Sequence, residues 1–162
     1  MPDVPGDDSR GFAEVERIHV RGRYLPDFEW TVHDTPSERR PPLVPLHDAR
    51  VGLVDTCGAH LPDEPPVGAS GRAALVPVDA GRVELTHPGY DTVRAMRDPE
   101  MVHPARTLLR LAERGVIGSV APRAVSVMGG VLIARRILER GLPETVAAML
   151  DMEVDLALLV PA

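Results

Sequence analysis

Lysine, asparagine and glutamine are absent from this 162-residue chain, and all 18 basic residues are arginine. Together with the abundance of Ala, Gly and Pro, that bias points to a GC-rich genome rather than to a function. A single cysteine, Cys57, excludes an internal disulfide and fits a reducing, cytoplasmic setting. No apolar run approaches the roughly 20 residues that span a bilayer. The first residues, MPDVPGDDSRG, are acidic and carry no apolar core of a signal peptide. No basic patch exists either. The net charge is −6 and the arginines are scattered, which argues against nucleic acid or an anionic membrane as partner. The six histidines fall in no HxxxH or HExxH spacing, so no metal is expected. No internal repeat is present.

What remains reads as globular. A hydrophobic fraction of 44% and a length near one domain allow burial of roughly 70% of the unfolded surface. Residues 1–45 divide into a loose tail (1–11), a short helix within 12–30 ended by Pro26, and a Pro-rich polar connector over 31–45. Residues 46–162 form the expected α/β domain. Its first strand is Arg50–Thr56, followed by the turn-prone Cys57-Gly58 and a loop over 61–72. Short strands are expected at Ala73–Val78 and Val83–Thr86.

Helical periodicity follows. Ala105, Leu108, Leu109 and Ala112 make one stripe between Pro104 and Gly115. A strand over Ala124–Met128 leads into Gly129-Gly130. A second helix over about 131–140 has Val131, Ala134 and Leu138 on one face and ends at Gly141. A third opens at Pro143-Glu144 with Val146, Ala147 and Leu150 inward. Leu156–Val160 closes the series as a near-continuous apolar run, the pattern of an inner parallel strand. Strand, helix, strand, helix, strand implies a Rossmann-like (flavodoxin-like) parallel sheet with flanking helices.

In such sheets ligands bind beyond the carboxyl ends of the strands. Cys57, His60, His87, Gly129 and Ala162 each follow a predicted strand and are expected to gather there. His60 and His87 are candidates for acid–base work or for holding a substrate carboxylate, and Gly129-Gly130 for cradling an anion on backbone N–H groups. Asp55, Cys57 and His60 together raise the alternative of a thiol enzyme using Cys57. Asp91 and Asp98 suit helix N-caps, and Met128 suits the core.

Several stretches resemble the selenoprotein B family of glycine, sarcosine, betaine and D-proline reductases. They are VGLVDTCGAHL (51–61), THPGYD (86–91), DPEMVHP (98–104), LAERGVIGSVAP (111–122), Met128-Gly129 and VDLALLVPA (154–162). The loop GASGRAA and the segment after Tyr90 depart from the family pattern and leave the substrate class open. The resemblance implies a catalytic selenocysteine or cysteine immediately after Ala162. The chain would thus end where a UGA codon was read as stop, with the C-terminal portion missing. It implies reductive C–N cleavage of a small amine or amino acid, with electrons from a thioredoxin-like dithiol donor. It also implies a reductase partner subunit carrying a pyruvoyl group, with no cofactor held in this chain. A non-catalytic, degenerate member or a scaffold subunit is the other expectation.

Overall fold

The computed structural model describes residues 9–32, 34–38, 40–68, 71–89, 91–130 and 134–162. The first eight residues of the expected tail, positions 69 and 70 of the expected loop, and Val131 of the second helix lie outside them. Contacts group the chain into two compact units, Met1–Glu38 and Arg39–Ala162.

In the first unit, α1 (Ser9–Arg23) begins inside the expected tail and stops three residues before Pro26, which has no N–H to continue it. The following segment folds back on the helix. Trp30 Nε1 donates to the carbonyl of Ala13 at 3.0 Å, and Arg21 donates to the carbonyl of Phe28 at 2.7 Å. Glu29 pairs with Arg17 and Arg21.

The second unit is built on β1 (Arg50–Asp55). One side of β1 pairs in parallel with β7 (Leu156–Val160) along its length. The other side pairs in parallel with β5 (Ser119–Val120) near its start and β6 (Arg123–Ser126) at its end. β5 and β6 thus occupy one position in the sheet, interrupted at Ala121-Pro122, where Ala121 N–H still reaches the carbonyl of Val51 at 2.9 Å. β3 (Ala74–Pro77) completes the sheet on the far side of β6, but runs antiparallel to it. A separate antiparallel pair joins β2 (Ala59–His60) to β4 (Glu84–Leu85). The architecture is therefore α/β with a largely parallel sheet, as the element order implies. The reversed β3 carries the departure, since an apolar run of four residues contains nothing that sets strand direction.

Leu53, Val76, Ala121, Ala124 and Val125 are fully enclosed, each large side chain among them contributing roughly 2 kcal/mol by leaving water. Ala105 and Leu108 of α3 (Ala105–Glu113) bury against Val51, Leu53 and Ala124, fulfilling the periodic stripe. Asp91 caps α2 (Thr92–Arg97) by accepting from Val93 N–H at 3.0 Å. Asp98 makes no such side-chain cap on the 3₁₀ turn Pro99–Met101.

Three expectations fail in the last third. Gly141 does not end a helix. The chain runs from α4 (Ala134–Arg136) through a π-helical turn, Ile137–Gly141, directly into α5 (Leu142–Asp151). Proline is tolerated at the opening of α5 because the wider turn relieves it of the missing N–H. The inner face of α5 also differs. Val146 and Leu150 are 49% and 73% exposed, while Ala148, Met149 and Met152 pack against Ala121 and Val125. Docking is set by a slot rather than by the most apolar stripe: a Cβ on Gly52 would stand 2.6 Å from Met149 Sδ. Nor is β7 an inner strand. Among the described residues it forms an edge, with Leu159 69% exposed and Leu156 and Leu158 more than a third exposed. An apolar run specifies a strand but not its neighbours.

Candidate functional site

Register brings three carboxyl ends level. Asp55 of β1 pairs with Ser126 of β6 on one side and with Val160 of β7 on the other. The residues immediately beyond these strands must therefore share one rim. Thr56 N–H donates to the carbonyl of Val160 at 3.2 Å, and Gly129 N–H donates to the carbonyl of Thr56 at 2.8 Å. The Thr56 hydroxyl accepts from Ala162 N–H at 2.8 Å and donates to its carbonyl at 3.2 Å.

His87 completes this rim from the loop after β4. Gly130 N–H points at its Nε2 (3.1 Å) and Gly89 N–H at its Nδ1 (2.9 Å). A neutral ring accepts at one nitrogen only, and a protonated ring accepts at neither. Burial lowers the His87 pKa below the ordinary histidine value, in keeping with a neutral ring. Gly129 suits a close approach: a Cβ there would lie 3.0 Å from the carbonyl oxygen of Ala162 and from His87 Nε2, and 3.1 Å from the carbonyl oxygen of Thr56. A cleft of about 570 Å³ beside the rim is lined by Leu85, Thr86, His87, Pro88, Thr92 and Met128. Met128 itself is buried, as expected of a core residue.

Behind the rim lies a different cluster. Asp55 is fully buried. Its Oδ1 accepts from the Ser126 hydroxyl, from Cys57 N–H at 3.2 Å and from the Cys57 thiol at 2.9 Å. Its Oδ2 faces His103 Nδ1 at 2.7 Å. Ser126 Oγ in turn accepts from Ala59 N–H at 2.8 Å. Burial first, then the neighbouring Asp55 carboxylate, pushes the Cys57 thiol pKa far upward. A protonated, inaccessible thiol is neither nucleophile nor metal ligand in that state. Asp55, Cys57 and His103 each offer a ligand atom within 4.8 Å of the others, the geometry a small cation could use. Here hydrogen bonds join them.

The sequence-predicted residues thus separate. His87, Gly129, Gly130 and Ala162 meet at the rim with Thr56. Cys57 is adjacent in the chain but turns inward. His60 is also spent: buried, it donates from Nδ1 to the carbonyl of Leu61 at 2.9 Å, and its Nε2 meets the Thr86 hydroxyl at 3.0 Å. Both its nitrogens are occupied, Nδ1 by its own chain neighbour and Nε2 in tying β2 to the residue after β4. Sequence reasoning missed Thr56, Ser126 and His103. Alternation along β1 could have found Thr56, since Asp55 and Cys57 share one face and Thr56 takes the other.

No family model matches the chain, and no solved structure matches it. Over 118 residues it is 28% identical to D-proline reductase subunit gamma of Acetoanaerobium sticklandii, an alignment covering 70% of this chain and 49% of that protein. The chain spans about half the length of this curated relative. The similarity supports a distant relationship to the reductase family. No described helix is long and apolar enough to cross a membrane.

Proposed function

We propose that this chain is part of a dithiol-dependent reductase that cleaves a C–N bond in a small amine or amino acid, with the Thr56–His87–Gly129 rim as its reacting edge. The observation that carries the reading is the convergence of Thr56, His87, Gly129, Gly130 and Ala162 at the level ends of β1, β6 and β7. The distant likeness to a D-proline reductase subunit agrees with it.

In this reading the nucleophile, selenocysteine or cysteine, follows Ala162 in the full protein, held beside His87 by the two Thr56 hydrogen bonds. It attacks the carbon bearing nitrogen, and the nitrogen leaves with the bonding pair and a proton. A dithiol then supplies two electrons and a proton to the carbon and becomes a disulfide, regenerating the selenol or thiol. His87, neutral at rest and half-buried, can take the proton of the attacking selenol or thiol and then, as the protonated ring, give it to the leaving nitrogen. The Gly129 N–H is held by the Thr56 carbonyl, so of the two glycines Gly130, whose N–H faces His87 Nε2, is the donor released to an anionic group when the ring takes up a proton. The partners are a pyruvoyl-bearing reductase subunit and a thioredoxin-like donor, in the cytoplasm. The substrate stays at the level of glycine, sarcosine, betaine or D-proline.

Two measurements test the reading. The codon after Ala162 should be UGA or a cysteine codon, followed in frame by a further cysteine. The protein isolated with its accompanying subunits should consume one of the four substrates in a dithiothreitol-dependent reaction, and His87→Ala should slow that reaction at least tenfold. A different in-frame residue after Ala162, or no dithiol-dependent turnover of any of the four, rejects the proposal in favour of a non-catalytic subunit.

A further inference from the structure

His60 fixes the direction of a hydrogen bond beside the rim. Its Nδ1 lies 2.9 Å from the carbonyl oxygen of Leu61, which can only accept. In the neutral ring the proton therefore sits on Nδ1, and Nε2 is a bare lone pair. That lone pair faces the Thr86 hydroxyl at 3.0 Å, so the hydroxyl donates to it. The backbone of Thr86 is anchored as well. Its N–H donates to the carbonyl of Gly58 at 3.1 Å, and a Cβ on Gly58 would stand 2.3 Å from the Thr86 carbonyl oxygen.

Thr86 also lines the cleft of about 570 Å³ beside the rim, next to His87. A hydroxyl has one proton and two lone pairs. With the proton committed to His60, and no other hydrogen bond to Oγ1 among the described residues, Thr86 presents the cleft with an acceptor only. Leu85, Pro88 and Met128 make the other walls apolar, apart from the Thr92 hydroxyl. Among the described residues lining the cleft, none but His87 titrates.

We propose that Thr86 is a specificity-determining residue that selects a substrate whose nitrogen carries an N–H, and that His60 is the positioning residue that aims the Thr86 hydroxyl. The inference rests on the reductase reading for the cleft as the amine site. A primary, secondary or tertiary amine donates its N–H to Thr86 Oγ1, which sets the nitrogen beside His87. A quaternary ammonium has no N–H to give and turns methyl groups to the acceptor. A site built around one hydrogen bond rejects the analogue that lacks the donor. Glycine, sarcosine and D-proline therefore fit the cleft, and betaine does not.

N,N-Dimethylglycine and betaine are the probes, because they differ by one methyl group and one N–H. Each is titrated by calorimetry at pH 8 into the protein with its accompanying subunits, without dithiol so that nothing turns over. Dimethylglycine should bind at least about tenfold more tightly than betaine. Thr86→Val, which keeps the shape and removes the acceptor, should bring the two within about twofold, and Thr86→Ser should keep the difference. The ¹⁵N spectrum should show the His60 proton on Nδ1. Betaine binding as tightly as dimethylglycine, no saturable binding of dimethylglycine, an undiminished preference in Thr86→Val, or a His60 proton on Nε2 would overturn the assignment. Failure of the reductase reading is distinct: dithiol-dependent turnover is then absent, while the binding contrast and its loss in Thr86→Val persist.

Discussion

Asp55 is fully buried and divides its carboxylate oxygens among His103, Ser126 and Cys57, whereas the adjacent Thr56 is half-buried and turns its hydroxyl to Ala162. One peptide bond separates a closed polar network from an open rim. Strand alternation produces the division: Asp55 and Cys57 fall on one face, Thr56 on the other. The closed side holds the chain's only thiol and a buried carboxylate, the groups that attract a catalytic reading in the sequence. Their mutual hydrogen bonds and enclosure make them a structural clasp between β1, β6 and the His103 segment. The open side holds less reactive groups, but it is where a ligand can arrive.

The sharpest way to break this contrast is to remove its two members one at a time. Asp55→Ala strands His103 Nδ1, the Ser126 hydroxyl and Cys57 N–H in the interior. It should cost about 3–5 kcal/mol in urea unfolding, the scale of a broken buried pair. Thr56→Ala removes two hydrogen bonds at a half-wet position and should cost about 1 kcal/mol. Equal losses would mean that the two faces are not energetically distinct.

Cys57 sharpens the same comparison through pH. Its folded pKa lies above the unfolded value near 8.5, so the folded state keeps a proton that the unfolded chain releases. The stabilisation is complete below about pH 8.5 and declines as pH rises beyond it, by roughly 1.4 kcal/mol per pH unit. Cys57→Ala should remove that alkaline slope. The native thiol should also react with a disulfide reagent at pH 8 at least a hundredfold more slowly than the urea-unfolded chain. Rapid labelling of the folded protein would return Cys57 to the list of nucleophiles.

Gly129 tests the open side. A methyl at this position must displace the Ala162 carbonyl, His87 Nε2 or the Thr56 carbonyl, all within 3.1 Å. Gly129→Ala should cost about 1–2 kcal/mol, less than Asp55→Ala, yet disturb the amide shifts of residues 87 and 162 most. If those shifts are unchanged, the rim is looser than its geometry indicates.

The sequence exposed the rim more fully than the clasp, for a physical reason. Rim residues are the ones that directly follow apolar strands, so Gly129, His87 and Ala162 could be placed from strand ends alone. The clasp depends on pairing between distant segments: Asp55 meets His103 across 48 positions and Ser126 across 71. Nothing local in DPEMVHP announces that its histidine is buried. The same limit governs the fold. The α3 stripe was legible because its inner face is its most apolar face. The inner face of α5 was not, because Met149 in the slot over Gly52 outweighs Leu150 on an exposed flank. β7 was legible as a strand from its composition, but its edge position depends on what lies beside it.

His87 gives the smallest effect and the most specific one. Burial holds its pKa below 6.5, so the folded state binds fewer protons than the unfolded chain in mildly acidic solution. The associated stability is present above pH 6.5 and is lost as pH falls through the folded pKa. Because the ring is partly solvated, this contribution is small beside that of Asp55. Its signature is local instead. Protonation removes the ring's one acceptor, so of the Gly89 and Gly130 amide groups that face Nδ1 and Nε2, the one bonded to the neutral tautomer loses its partner. The amide signals of Gly89 and Gly130 should therefore titrate together with the His87 ring, at a pH below the ordinary histidine value of about 6.5. Signals of Asp55, Cys57 and Ser126, behind the rim, should stay fixed over the same range. Should the buried cluster move with His87, the rim and the clasp form one coupled unit, and the division at the Asp55–Thr56 peptide is not a functional one.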